Sequence, residues 1–401
     1  MIDSHMESLT IENAASQVAE FVNHRLPQIT YPGFKGRGIV IAAGGTRLNT
    51  NAWVAIRMLR RHGCKLPIQV WYLGERERDD LWASLVRPFD VECIDALCVR
   101  EQHPHERLHG WELKPYAMTW CPFQEVLFID ADNVPVRDPS FLFETPEFRQ
   151  FGAVFWPDYG RLGEDRLAWQ VFGDIAYHDE PEFESGQIVV DKERCWKALQ
   201  LVHWYMQNSN NFFFHHVHGD KEVFHLAWRR LGQPYAMVPH PICSLPGVMC
   251  QHDFSGRRVF QHRNMRKWSL GSNPVTPGFE FEMECRTYLA ELKQSWNPLK
   301  NPLHEIPASD RQQMHTIVGQ RFAYVRVGHD HRTLALDVDG IVGEGAGDCE
   351  TFWWCEGPSL VLAGSDGTVT SRLLIGLDDV WFGRWDIHER MNIMLIPIKP
   401  S

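Results

Sequence analysis

A chain of 401 residues, 44% apolar and 23% charged, is long enough for a large core and a second domain. Its formal net charge of −11 and pI of about 6.0 argue against nucleic acid or an anionic membrane as main partner. No run reaches the roughly 18 apolar residues of a membrane helix, so no transmembrane segment is expected.

Residues 7–30 read as an N-terminal helix, with Leu9, Ile11, Ala15, Val18, Phe21 and Val22 as its apolar positions and Pro32-Gly33 as its stop. Gly38 to Ala43 is a buried strand ending in Gly44-Gly45, followed by a helix carrying Ala52, Ile56 and Leu59 on one face. A strand (Ile68 to Leu73), a helix (about 77–86) and a short strand (Val91 to Ile94) come next. This β-α-β-α-β order predicts a parallel, doubly wound sheet that binds ligands at the carboxyl ends of its strands. Lys114-Pro115 opens a short helix leading to the strand Glu125 to Ile129. Two more strands follow (152–156 and 186–190), then helices at 192–207 and 220–231, a Pro- and Gly-rich region to 278 and a helix over 279–294. Asn297 to Pro302 reads as a linker. Beyond Arg321 seven short alternating runs, separated by Asp339-Gly340 and Asp366-Gly367 turns, predict a small all-β sandwich or barrel. The expected domains are a helical flank (1–33), an α/β domain (34–270), a helical linker region (271–319) and an all-β accessory domain (320–401).

The strand Glu125-Val126-Leu127-Phe128-Ile129 runs directly into Asp130-Ala131-Asp132-Asn133. Two carboxylates at i, i+2 on extended backbone point the same way, the arrangement a hard divalent cation accepts. The plainer alternative is a polar turn after a strand. Transfer of a sugar from a nucleotide requires the leaving diphosphate to be neutralised. Asp130 and Asp132 holding Mn2+ or Mg2+, with Lys114, Arg263 and Lys267 as basic groups, meet that need. Gly44, Gly45 and Arg47 form a candidate nucleotide-binding turn at another strand end. Glu184-Ser185-Gly186-Gln187 offers donors and acceptors for sugar hydroxyls at what reads as a strand entrance. Asp220 has a helix-capping role open to it as well. His215, His216 and His218 lack partners at metal-ligand spacing. Ten cysteines without a Cys-x-x-Cys spacing, and no secretory leader, point to free thiols in a reducing, cytoplasmic setting.

Lys114-Pro115, Glu125 to Asn133 with Pro135, Phe155-Trp156-Pro157-Asp158, Glu184-Ser185-Gly186-Gln187, His218-Gly219-Asp220-Lys221-Glu222 and His262-Arg263-Asn264-x-x-Lys267-Trp268 occur in an order that resembles the glycosyltransferase family 71 alpha-mannosyltransferases. The resemblance covers about 38–270. It implies a GT-A fold, a mixed Rossmann-like sheet flanked by helices, with a manganese-type cation and retention of anomeric configuration. It implies a nucleotide-sugar donor, GDP-mannose first and a UDP-sugar second, and a carbohydrate acceptor. In related retaining enzymes a late His joins the two Asp on the metal, a role carried here to His262. Glu184, Gln187 and Asp220 then line the sugar pocket as catalytic candidates. The family's fungal members carry a membrane anchor and lumenal disulfides, neither visible here, and lack the β-rich tail.

Two rival readings remain at this level. Ile41 to Leu48 also resembles the entry loop of sugar nucleotidyltransferases, where an Arg in a Gly-rich turn handles triphosphate. The other is a non-catalytic carbohydrate-binding protein using the aromatic C-terminal domain. Within the transferase reading, alternation around Trp353, Trp354, Trp381 and Trp385 leaves one Trp of each pair exposed to present an acceptor or to hold a homo-oligomer together; the plainer alternative is that all four are packed or scattered.

Overall fold

The computed structural model describes residues 8–106, 108, 110–209, 211–217, 219–270, 273–296, 306–328, 330–347, 349–365, 368–385 and 391–398. His218, the linker 297–302 and the Asp366-Gly367 turn lie outside the described residues. The chain falls into two compact units, one of residues 1–44, 48–268 and 275–290, the other of 45–47, 269–274 and 291–401.

In the first unit the strands are β1 (Arg37–Ala42), β2 (Ile68–Tyr72), β3 (Val91–Asp95), β4 (Glu125–Ile129), β5 (Asn133–Pro135), β6 (Ala153–Pro157), β7 (Phe183–Asp191), β8 (Ala236–Met237), β9 (Cys243–Leu245), β10 (Val248–His252) and β11 (Arg258–His262). Seven of them make the main sheet, in the order β3-β2-β1-β4-β7-β6-β8. Its apolar runs are buried as continuous hydrophobic strands must be: Ile39 to Ile41 and Val126 to Ile129 have no exposed surface.

The sheet is parallel from β3 through β4, but β7 runs antiparallel to both β4 and β6. The parallel order expected from the β-α-β alternation holds from β3 through β4; the correction is the antiparallel β7, which makes the whole a mixed sheet flanked by helices, as the GT-A resemblance implies. The reason is the connection. After β6 the chain returns through 158–182 at the same sheet end and enters β7 from there, so β7 must run backwards. The start of β7 thereby lies at the end where β4 finishes. A second correction follows, because β7 begins at Phe183 and so Glu184 to Gln187 lie inside a strand instead of a turn before one.

A four-stranded antiparallel sheet, β5-β11-β10-β9, stands beside the main one. Helices cover the main sheet. Gly45–Arg61 buries Ala52 to Ile56, Met58 and Leu59, and Lys192–Gln207 is capped by Asp191, whose carboxylate accepts from Glu193 N at 3.0 Å. The N-terminal helix Ala14–Glu20 continues through tighter and wider turns to Gln28 and buries Ala14, Val18, Phe21 and Leu26. Phe21 stacks on Trp204 at 5.3 Å, whereas Ile11, expected on the apolar stripe, is exposed.

In the second unit β12 (Arg321–Arg326), β13 (Asp330–Ala335), β14 (Phe352–Glu356), β15 (Ser359–Ala363), β16 (Val369–Ile375), β17 (Trp381–Trp385) and β18 (Met391–Pro397) form one antiparallel sheet ordered β13-β12-β18-β17-β16-β15-β14. Its two edges are linked through the segment 341–342, by bridges Leu336↔Val342 and Ile341↔Phe352, so the sheet curls around one core. The expected exposure of a Trp from each pair is not met. Trp353, Trp354, Trp381 and Trp385 are all buried. Trp381 and Trp385 stand four apart, an even number, and so share the inner face. The core that takes up Trp353 and Trp354 also includes Met314 and Ile317, from and just after the helix Ala308–Met314.

Asn51, fully buried in the helix Gly45–Arg61, exchanges two hydrogen bonds with the backbone of Trp268: Nδ2 donates to its carbonyl at 2.9 Å and Oδ1 accepts from its N–H at 2.8 Å. Asn51→Ala strands both backbone groups away from water and should cost about 2–4 kcal/mol in urea unfolding, against under about 0.5 kcal/mol for a surface control.

Candidate active site

Asp130 follows β4, and its N–H donates to Gly186 O at 2.8 Å on the neighbouring β7. Asn133 N then returns to Asp130 O at 3.0 Å, which makes 130–133 a turn. Asp130 and Asp132 therefore converge through a turn and not through the pleat expected from i, i+2 spacing. Past the turn, β5 pairs with β11 in the register Asn133↔His262, and Arg263 N donates to Asp132 O at 2.9 Å. A residue 130 positions downstream of Asp132 is thus locked beside it. His262 Nε2 lies 3.2 Å from Asp132 Oδ1 and 3.8 Å from Asp130 Oδ2. One ligand atom from each of the three residues lies within 4.8 Å of the others.

The other imidazole nitrogen is occupied. His262 Nδ1 is 3.2 Å from Glu184 Oε1, which also accepts from Gly186 N at 2.7 Å. Gly186 is required by this approach, since a Cβ there would lie 2.5 Å from His262 Nδ1. A carboxylate on one ring nitrogen fixes the ring and aims the other at the ligand position. Two carboxylates and an imidazole so oriented are a donor set that fits Mn2+ or Mg2+.

Lys114, buried in the helix Leu113–Trp120, sits between carboxylates. Its Nζ is 3.1 Å from Asp130, 2.9 Å from Asp220 and 3.0 Å from both the carbonyl and hydroxyl oxygens of Ser185. Burial works to discharge the amine, but Asp130 and Asp220 outweigh it and hold its pKa above the usual lysine range. Lys267 Nζ pairs with Asp132. Burial opposes ionisation of Asp132, yet His262 and Lys267 keep it well below the ordinary carboxylate range. For His262 burial lowers the pKa while Asp132 and Glu184 raise it, with a net result of about 10. Asp130 is raised, chiefly by removal from water. Asp220 occupies the N-cap position of the helix Lys221–Leu231 without making a capping bond, and its carboxylate is committed to Lys114 and Ser185 instead.

The remaining sequence candidates are placed elsewhere. Gln187 is fully buried, held by Asn133 Nδ2 at 2.7 Å. Arg263, expected at a diphosphate, is 1% exposed, with its Cζ 3.7 Å from the centroid of the Trp268 ring and its Nε donating to Arg266 O. The backbone of Arg263 serves the site and its guanidinium serves the core. Gly44 packs on Glu77, which together with Ala43, Asn49, Tyr72, Arg78 and Val91 lines a cavity of about 410 Å³ that runs from the carboxyl ends of β1 and β2 to the first residues of β3. Gly45 and Arg47 belong to the second unit.

One cluster escaped the sequence reading. Lys221 Nζ bridges Asp158, Glu182 at 2.7 Å and Glu222 at 3.2 Å. Only the Phe-Trp-Pro-Asp and His-Gly-Asp-Lys-Glu blocks signalled it, without their partner Glu182. Glu222 is buried, and removal from water raises its pKa to about 8 despite Lys221. The folded state therefore binds a proton that the unfolded chain has released between about pH 4.5 and pH 8, and stability falls as pH rises across that window. Glu222→Gln should match the wild type near pH 4.5 and exceed it by on the order of 2–4 kcal/mol at pH 8. Paired urea titrations at the two pH values measure this.

A family model described as "Mannosyltransferase putative" matches residues 36–182 and 170–255. Alpha-1,2-mannosyltransferase MNN24 of Candida albicans is 26% identical over 243 residues, covering 51% of this chain and 34% of that protein. Alpha-1,2-mannosyltransferase MNN5 of Saccharomyces cerevisiae (strain YJM789) is 23% identical over 288 residues, 57% of this chain and 49% of that one. The chain thus spans a third to a half of these relatives' length. The glycosyltransferase GlyE of Streptococcus pneumoniae TIGR4 aligns with a TM-score of 0.36 at 15% identity, covering 52% of this chain and 46% of its own.

Proposed function

This chain belongs to the mannosyltransferase family whose model matches more than half of it, and from that premise we propose that it is a metal-dependent, retaining glycosyltransferase. It moves mannose from a nucleotide diphosphate sugar, GDP-mannose before a UDP-sugar, to a carbohydrate acceptor. The observation that carries this reading is the convergence of Asp130, Asp132 and His262 at the carboxyl end of β4. A divalent cation held there supplies charge neutralisation for the departing diphosphate.

The chain's own groups do the rest. The parallel strands reverse order between β1 and β4, the kind of sheet position where nucleotides bind. The polar cavity beside Gly44 reaches the carboxyl ends of β1 and β2 and suits the nucleoside, with the diphosphate directed to the end of β4. Lys114 and Lys267, each already against a cluster carboxylate, add positive charge where the leaving group develops its negative charge. Asp220 and Glu184 present carboxylates to the sugar side, the first steadied by Lys114 and Ser185 and the second by His262 and the amide of Gly186. Gln187 acts from below, through Asn133.

No helix among the described residues is long and apolar enough to cross a membrane. The ten cysteines are free thiols, which supports a reducing, cytoplasmic setting as part of the same proposal. A presenting or oligomerising role for the all-β unit belongs to it too, with Leu374 and Phe382, paired across β16 and β17 and both exposed, as its contact residues.

Wild type should show a manganese-dependent rise in thermal midpoint with GDP-mannose, and Asp132→Ala should lose it. An Asp132→Ala protein with unchanged manganese dependence would refute the metal assignment. Gly186→Ala keeps every proposed ligand but pushes on the His262–Glu184 contact, so its manganese affinity should drop about 10–100-fold by calorimetry. Proton NMR of the new linkage should give the alpha anomer; a beta product rules out retention.

A further inference from the structure

We propose that Cys243 and Cys250 are a dithiol pair that closes to a cross-strand disulfide when the folded chain meets a disulfide oxidant of the glutathione class. The inference rests on strand register and is independent of the transferase reading.

β9 and β10 form a hairpin in which Leu245 pairs with Val248, leaving Pro246-Gly247 as a two-residue turn with Gly247 at φ +72°. So tight a turn leaves the strands no freedom to slip. Two residues further out, the same register sets Cys243 directly opposite Cys250. Residues opposite each other on antiparallel strands have Cα atoms about 4.5–5.5 Å apart, with side chains on one face. A disulfide accepts Cα separations of about 4.4–6.8 Å. The sulfur of Cys243 also leans the right way. It accepts from Arg258 Nη2 at 3.9 Å, and Arg258 stands on β11, beyond β10, so the side chain is drawn across the strand that carries Cys250.

Exposure divides the two roles. Cys243 is exposed on an edge strand, and Cys250 is fully buried with its thiol pKa pushed up to about 11 by that burial. The Cys243 thiolate attacks the glutathione disulfide and expels one glutathione thiolate. Cys250, deprotonated as it reacts, attacks the Cys243 sulfur of the mixed disulfide and expels the second. Two protein thiols are oxidised to one disulfide, one glutathione disulfide is reduced to two thiols, and the two protons pass to those leaving groups.

The bond would tie the row Cys243–Cys250–Gln261–Val134 of the four-stranded sheet, next to the row Ser244–Met249–His262–Asn133. It therefore bears on the frame that holds His262.

Both cysteines fall in one tryptic peptide, residues 231–257, which makes the test direct. Folded full-length chain is equilibrated in oxidised and reduced glutathione, alkylated with iodoacetamide, digested and weighed by mass spectrometry. The expected product is that peptide, unalkylated and two hydrogens lighter, in about tenfold excess over any other Cys pair. Cys243→Ser and Cys250→Ser should each abolish it, and dithiothreitol should restore two alkylated thiols. Recovery of Cys243 as free thiol or as a standing glutathione adduct overturns the proposal. So does a bond that forms only after denaturant is added.

Discussion

The pairing of β5 with β11 is the constraint on which the candidate site depends. It is a three-rung antiparallel ladder, Asn133↔His262, Val134↔Gln261 and Phe260↔Pro135, completed by the Arg263 N–H on the Asp132 carbonyl. Because register admits no half steps, a one-residue slip would turn His262 to the opposite face and leave two carboxylates without their third partner. Backbone hydrogen bonds thus do the positioning, and side chains need only point. The hairpin β9–β10 supports that ladder from the other side, since β10 pairs with β11 through Met249↔His262.

Four carboxylates converge here, and the cost of burying them is offset by a graded set of cations. Lys114 lies between Asp130 and Asp220, Lys267 pairs with Asp132, and His262 stands between Asp132 and Glu184. Removing one partner of such a set exposes the uncompensated charge of the other, which costs more than the pair contributes. Lys221, with Asp158, Glu182 and Glu222, repeats the pattern at the same sheet end, but with three acids to one base. There no further cation offsets the burial of Glu222, and removal from water, with Glu182 nearby, raises its pKa.

Backbone direction places these groups together. β7 enters the sheet backwards, so its first residues meet the last residues of β4. Glu184, Ser185 and Gly186 come to Asp130 from the opposite chain direction, and Gly186 lets the His262–Glu184 contact form because it lacks a Cβ.

The sequence by itself determined the strand that ends at Asp130, the helix-strand alternation up to it, the seven C-terminal strands and the motif blocks that carry family membership. These follow from local causes: runs of apolar residues bury strands, and prolines and glycines end them. It also brought Lys114 and Lys267 forward as basic residues near the acid pair. What only the tertiary structure decided depends on residues far apart in the chain. The reversal of β7 is set by where a 25-residue strap returns to the sheet. Glu182 joins Lys221 across 39 positions, and the backbone of Arg263, not its charge, meets Asp132 across 131. Arg263 looked like a phosphate ligand and is a core residue over Trp268, and the C-terminal tryptophans, which alternation could leave half exposed or packed, are all buried. In both cases the residue type was read correctly and its surroundings were not, because burial is a property of what packs on top. Periodicity along one strand carries no information about that.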